Sequence, residues 1–184
     1  MIPMRHRYLE CTDKNKINDF LCRTKIGYLG ISAGLHPYVI PLNYVWWEEK
    51  LYFHASESGR KIDVIKQNPT ACFTVSEEYG TISNPVPAKT DTAYFSVMIF
   101  GKVEAITAPE QATLVLQKLL DKYVPGYYSS PLAQQHVEKY RSSMGNAVSV
   151  FQIIPETITA KENPLDEEMK FYPGRSQLSD ANRA

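Results

Sequence analysis

Arg60 and Lys61 are adjacent cations that follow Ser58 and Gly59 where the chain changes from a strand pattern to a helix pattern. Upstream, Leu51, Phe53 and Ala55 alternate with Tyr52 and His54, the two-residue period of a half-buried strand. Downstream, Ile62 and Ile65 fall one turn apart, with Ser58 the expected N-cap and Asn68-Pro69 the expected stop. Cations in a first helical turn oppose the macrodipole, at a cost of roughly 0.3–1 kcal/mol each when exposed. A bound phosphate reverses that sign, because free N–H groups, a hydroxyl and two cations all favour a dianion. Beside Glu57 and Asp63 the same pair also reads as a solvated basic turn, and residue types alone leave the two readings level. His54 is the nearest residue suited to proton transfer. Its ordinary pKa of about 6.5 lets it protonate a product or orient a substrate oxygen, and its plain alternative is a hydrogen-bonded histidine at a strand end. His6, His36 and His136 show no partner pattern and read as surface residues.

The elements that must position these groups follow from periodicity. Thr12 or Asp13 caps a first helix carrying Ile17, Phe20 and Leu21 on one stripe. From Lys25 the period becomes two, and a turn follows at Ser32 to His36. Residues 37–46 read as a second strand, and Pro41 within it requires an edge, a bulge or a place where a ligand meets unpaired backbone. Trp46 and Trp47 must point to opposite faces of that strand, which puts one of them outside the core on a covered surface such as a dimer contact. Residues 71–75 are a further strand, and Gly80, Pro85 and Pro87 mark a lid-like loop. The longest strand signal spans 92–106, with a bend or bulge expected at Gly101. Pro109 opens an amphipathic helix reaching Tyr123, and its Leu116–Tyr123 stripe reads as core or dimer packing. A weaker helix over 132–144, a closing strand over 147–154 and a polar, extended or disordered tail complete the chain.

Composition narrows the function. Twenty basic and twenty acidic residues cancel in 184, which gives no electrostatic case for nucleic acid or an anionic membrane. Cys11, Cys22 and Cys72 are scattered without metal-ligand spacing, so no metal is expected and a reducing, cytoplasmic setting is. No apolar run approaches a membrane span or a leader. Dinucleotide, Walker and nucleophile-elbow motifs are absent. Hairpin-joined strands interrupted by helices indicate a mainly β, antiparallel barrel or sandwich.

With these residues laid out, the chain resembles the flavin-binding split-barrel proteins related to pyridoxamine 5′-phosphate oxidase, and among them the nitroimidazole-resistance branch. The resemblance is carried by Met4-Arg-His-Arg7, Gly27-Tyr-Leu-Gly30, Pro37-Tyr-Val-Ile-Pro-Leu-Asn-Tyr44, Leu51-Tyr-Phe-His-Ala55, Gly59-Arg-Lys61, Asn68-Pro69 and the 94–101 stretch. It implies a six-stranded antiparallel split β-barrel of Greek-key type with peripheral helices over residues 1–161, and a tail over 162–184. It also implies a homodimer with a flavin at the subunit interface, FMN or alternatively FAD. Arg60 and Lys61, with Ser58, Gly59 and Ala55 beside them, would hold the phosphate. Val39, Ile40, Pro41, Leu42 and Asn43 would run along the isoalloxazine, Ser96 would face it, and His54 would lie near the ring as the catalytic group. Phe95 stands where that branch often has arginine, and Lys89 to Thr92 lack its usual cysteine and tryptophan. Both departures bear on substrate. The implied activity is electron transfer from NAD(P)H through the flavin to a small acceptor such as a nitroaromatic. The alternative is a flavin- or haem-binding protein without turnover, for storage or sensing, with His54 as the axial candidate.

Overall fold

The computed structural model describes residues 4–141, 145 and 147–181. Helix α1 (Lys14–Arg23) starts at Asp13, whose carboxylate accepts from the N–H groups of Asn15 and Lys16 at 2.9 and 3.2 Å and so satisfies donors the helix cannot. Then come β1 (Ile26–Ala33), β2 (His36–Asn43), β3 (Val45–Trp47), β4 (Lys50–Ser56), α2 (Arg60–Gln67), β5 (Thr70–Ile82), β6 (Asp91–Ile106), α3 (Pro109–Tyr123), α4 (Gln134–Lys139), β7 (Val148–Asn163) and α5 (Gln177–Ala181).

The seven strands form one sheet in the order β2-β1-β5-β6-β7-β4-β3, and every neighbouring pair is antiparallel. Its two edges, β2 and β3, are consecutive in the chain with Tyr44 alone between them. One residue cannot bridge an open sheet of this width, so the sheet curls until its edges meet. That closure makes the split barrel, and β2 comes back against β4. Pro37 and Pro41 lie on the edge strand, where a missing N–H breaks no ladder.

The expected single strand over 37–46 is therefore two strands, and the sheet has seven strands instead of six. Tyr44 is the corner. It is fully buried, its N–H donates to the Tyr123 hydroxyl at 2.9 Å, and that hydroxyl donates to the Lys25 carbonyl. Gly101 sits at a register shift between β6 and β7, where a Cβ would come within 2.1 Å of the Ile154 carbonyl oxygen.

Two apolar cores result. The larger fills the barrel and includes Leu29, Phe53, Phe73, Phe95 and Ile99. The smaller, with Val45, Tyr52, Val115, Leu119 and Val150, lies between the sheet and α3. Trp46 belongs to the first and Trp47 packs against the second. Within the chain, Trp47 is half-buried against α3, with Lys118 over the indole.

Other expectations shift at the sheet's end. The lid-like loop is shorter than expected, since β5 continues to Ile82 through a bulge beside Gly80, and Pro85 and Pro87 lie beyond its end. The tail is tied down there. The Ser83 N–H donates to the Met169 carbonyl at 2.8 Å, the Phe171 N–H to the Thr81 carbonyl at 2.8 Å, and Arg175 pairs with Asp180 at 2.8 Å. The weaker helix is short, and residues 142–144 of its expected span lie outside the described residues. The closing strand runs to Asn163 because it pairs β6 along nearly its whole length.

Candidate functional site

Strand β4 is covered on its barrel face and, on the other, at Tyr52, while His54 and Ser56 of that second face stay exposed. Leu51, Phe53 and Ala55 enter the barrel. Tyr52, 1% exposed, packs against α3. His54 and Ser56 share Tyr52's parity and reach an apolar cavity of about 800 Å³, within the size range of small-molecule and cofactor sites. Leu116, Leu119 and Leu120 of α3 form one wall, and Val137 and His136 of α4 form another. The leucine stripe thus does more than pack: it presents a ligand-sized surface. His136 shares the chamber with His54, which its isolated position in the sequence did not reveal. Protein around His54 lowers its pKa below the usual histidine value, and the nearby Lys61 charge lowers it further. The imidazole is therefore neutral at pH 7, free to accept a hydrogen bond or bind a metal centre.

Helix α2 begins just past this cavity. Its N-cap is Gly59, at φ 114° and ψ 169°, and no side chain caps it. Ser58 is not the cap, because the chain turns at Gly59 instead, in a conformation that favours glycine. The Gly59 carbonyl accepts from the Ile62 and Asp63 N–H groups at 2.9 and 3.1 Å, so the first-turn donors gain no help from a serine hydroxyl. Arg60 lies 4.5 Å from the Tyr38 ring centroid of β2, and Lys61 lies 5.8 Å from that of Phe53. Burial lowers the Lys61 pKa. The first turn thus holds an exposed guanidinium and a half-buried ammonium that, among the described residues, form no ion pair even with Asp63 of the same turn, which is the donor set a phosphate group fits.

Beside it, β2 divides by parity. Val39, Pro41 and Asn43 face outward, whereas Ile40 and Leu42 pack toward the barrel core, leaving only their backbone for a ligand. The outward residues join a row across the sheet: Val39 pairs with Gly30, Gly30 with Cys72 and Cys72 with Phe100. Tyr28, Val39 and Phe100 on this face are 48, 59 and 39% exposed. Ser96 has the same parity as Met98 and Phe100 and is half-buried. The structure therefore brings Val39, Pro41, Asn43 and Ser96 to one outer face, Ser58 to Lys61 to its neighbouring edge, and His54 with Ala55 to the cavity behind.

A sequence model of the pyridoxamine 5′-phosphate oxidase family matches residues 13–162. The chain belongs to that family. Comparison with curated proteins gives no match. Solved structures of similar fold include the flavocytochrome Anf3 from Azotobacter vinelandii, 22% identical over 94% of this chain and 79% of that one, with a TM-score of 0.75. They also include a candidate 5-nitroimidazole antibiotic resistance protein from Bacteroides thetaiotaomicron, 25% identical over 83 and 85% of the two chains, with a TM-score of 0.64. A third is an FAD and haem binding protein from Mycobacterium smegmatis, 17% identical over 96 and 80%, with a TM-score of 0.69. The family's split barrel is the fold seen here. Among the described residues no helix is long and apolar enough to cross a membrane, and no group of three or more His, Cys, Asp or Glu could hold a metal ion.

Proposed function

We propose that this family member binds a flavin, FMN or alternatively FAD, and works as an oxidoreductase that takes electrons from NAD(P)H and passes them to a small acceptor such as a nitroaromatic. The observation that carries the reading is the uncapped start of α2, where Arg60 and a half-buried Lys61 stand together and, among the described residues, form no ion pair. Arg60 and Lys61 hold the phosphate; the backbone of residues 39–43 and the outward Ser96 line the ring. The bound flavin would supply two-electron chemistry, and the protein would supply orientation and exclusion of water. The exposed apolar residues Val39, Tyr28 and Phe100 on this outer face support a homodimer that covers the ring from the second copy. His54, neutral at pH 7, orients an acceptor oxygen in the cavity and donates a proton only as the pH falls toward its own range.

The test is optical. Purified protein should show flavin absorption that NAD(P)H bleaches and a nitroimidazole restores, and mass spectrometry of the released pigment should give FMN or FAD. Protein that takes up no flavin contradicts the reading. Flavin that no pyridine nucleotide reduces leaves a storage or sensing protein.

A second reading has its own observation, the cavity that holds both His54 and His136. Two of the similar structures are described as a flavocytochrome and as an FAD and haem binding protein. Imidazole nitrogen, apolar walls and cofactor-sized volume are the surroundings haem requires. In this reading the cavity takes a haem with His54 as its axial ligand, with or without a flavin on the outer face.

A further inference from the structure

The cavity has two imidazoles on two different walls. His54 comes from β4 and His136 from α4, and the leucines of α3 line the same cavity. A planar macrocycle with a central metal has two axial positions, one per face. A single imidazole leaves one of them to water or a small ligand, whereas two imidazoles brought to one cavity by different elements can fill both.

We infer that His136 is the second axial ligand of a haem held in this cavity, opposite His54, so that α4 closes the chamber through the metal. This rests on the haem reading above. Helix α4 is placed for such a role by bonds that do not involve the histidine. The Leu132 N–H donates to the Gln117 side-chain oxygen at 2.7 Å, which ties the α3–α4 connection to α3. Within α4 the Gln134 amide donates to Glu138 at 2.8 Å, one turn on. Val137, the residue after His136, is half-buried against the cavity, so α4 sits on the chamber by its apolar side and brings the imidazole to it. Tyr128, Ser129 and Ser130 of the connection also line the cavity, and their hydroxyls are donors for the carboxylates that haem carries.

The experiment loads the full chain with haemin and reads the absorption spectrum for spin state, in the wild type and in His136→Ala and His54→Ala, with circular dichroism to confirm folding. Wild type should give a low-spin, six-coordinate spectrum. His136→Ala should convert it to a high-spin, five-coordinate one that added imidazole returns to low spin. His54→Ala should weaken haem uptake at least tenfold. A wild type that takes up no haem overturns the haem reading and this inference with it. Haem uptake with a spectrum that His136→Ala leaves unchanged overturns the inference alone.

Discussion

Burial acts on single titratable groups here, and its sign can be measured. Lys122 donates to the Leu21 carbonyl at 3.3 Å and lies 4.0 Å from the Tyr44 ring centroid. Burial brings its pKa down to about 8. Its reactivity toward an acylating reagent should be half-maximal near pH 8, resolved from the exposed lysines by peptide mass spectrometry. His54 works in the acid range. Its folded pKa lies below the unfolded value of about 6.5, so between the two the unfolded chain binds more protons. Stability therefore falls as pH drops through that window. Urea unfolding at pH 7 and pH 5 should show a smaller acid loss for His54→Gln than for the wild type. The type and place of His54, Arg60 and Lys61 were readable from the chain because each follows a strand or helix signal. His136 was not, since it gains meaning only when α4 folds over a strand more than seventy positions earlier.

At the level of elements, the sequence announced periodicity well and curvature poorly. α1, α3 and the strand cores fell where alternation and caps put them, and Pro41 marked a true edge. The division at Tyr44 was invisible because strands on either side share one alternating pattern, and only closure of the sheet forces the corner. Ser58 was misread as a cap since any serine before a helix looks like one, whereas Gly59 takes the positive φ that sets the turn. Gly101 was legible and is the sharpest test of the sheet. Its Cβ would meet a backbone oxygen at 2.1 Å, so Gly101→Ala should cost about 3 kcal/mol by denaturant unfolding. Gly34, at φ +68° with open space around it, should lose only about 1 kcal/mol on the same change. Equal losses would contradict the assigned bulge. Asp13→Ala should cost about 1 kcal/mol through its two lost cap bonds.

Across the whole molecule, the split barrel leaves three surfaces: an outer face, a cavity behind β4 and a tail that buttresses the far end of β5 and β6. The tail was expected to be loose because its composition is polar. The side chains of Arg175 and Asp180 are only 5 and 9% exposed, so order there comes from hydrogen bonds and an ion pair that composition does not reveal. Limited proteolysis should accordingly spare residues 164–181. The outer face and the start of α2 meet at one edge, and on that meeting the functional reading depends. Its most direct measurement is the dissociation constant of FMN and of riboflavin, which lacks the phosphate, for the wild type and for Arg60→Gln/Lys61→Gln. Hydrogen bonds to charged groups contribute about 1.5–3 kcal/mol each, so the wild type should prefer FMN by roughly a hundredfold and the double variant should lose that preference while holding riboflavin unchanged. A double variant that binds FMN as tightly as the wild type would place the phosphate elsewhere and contradict the account.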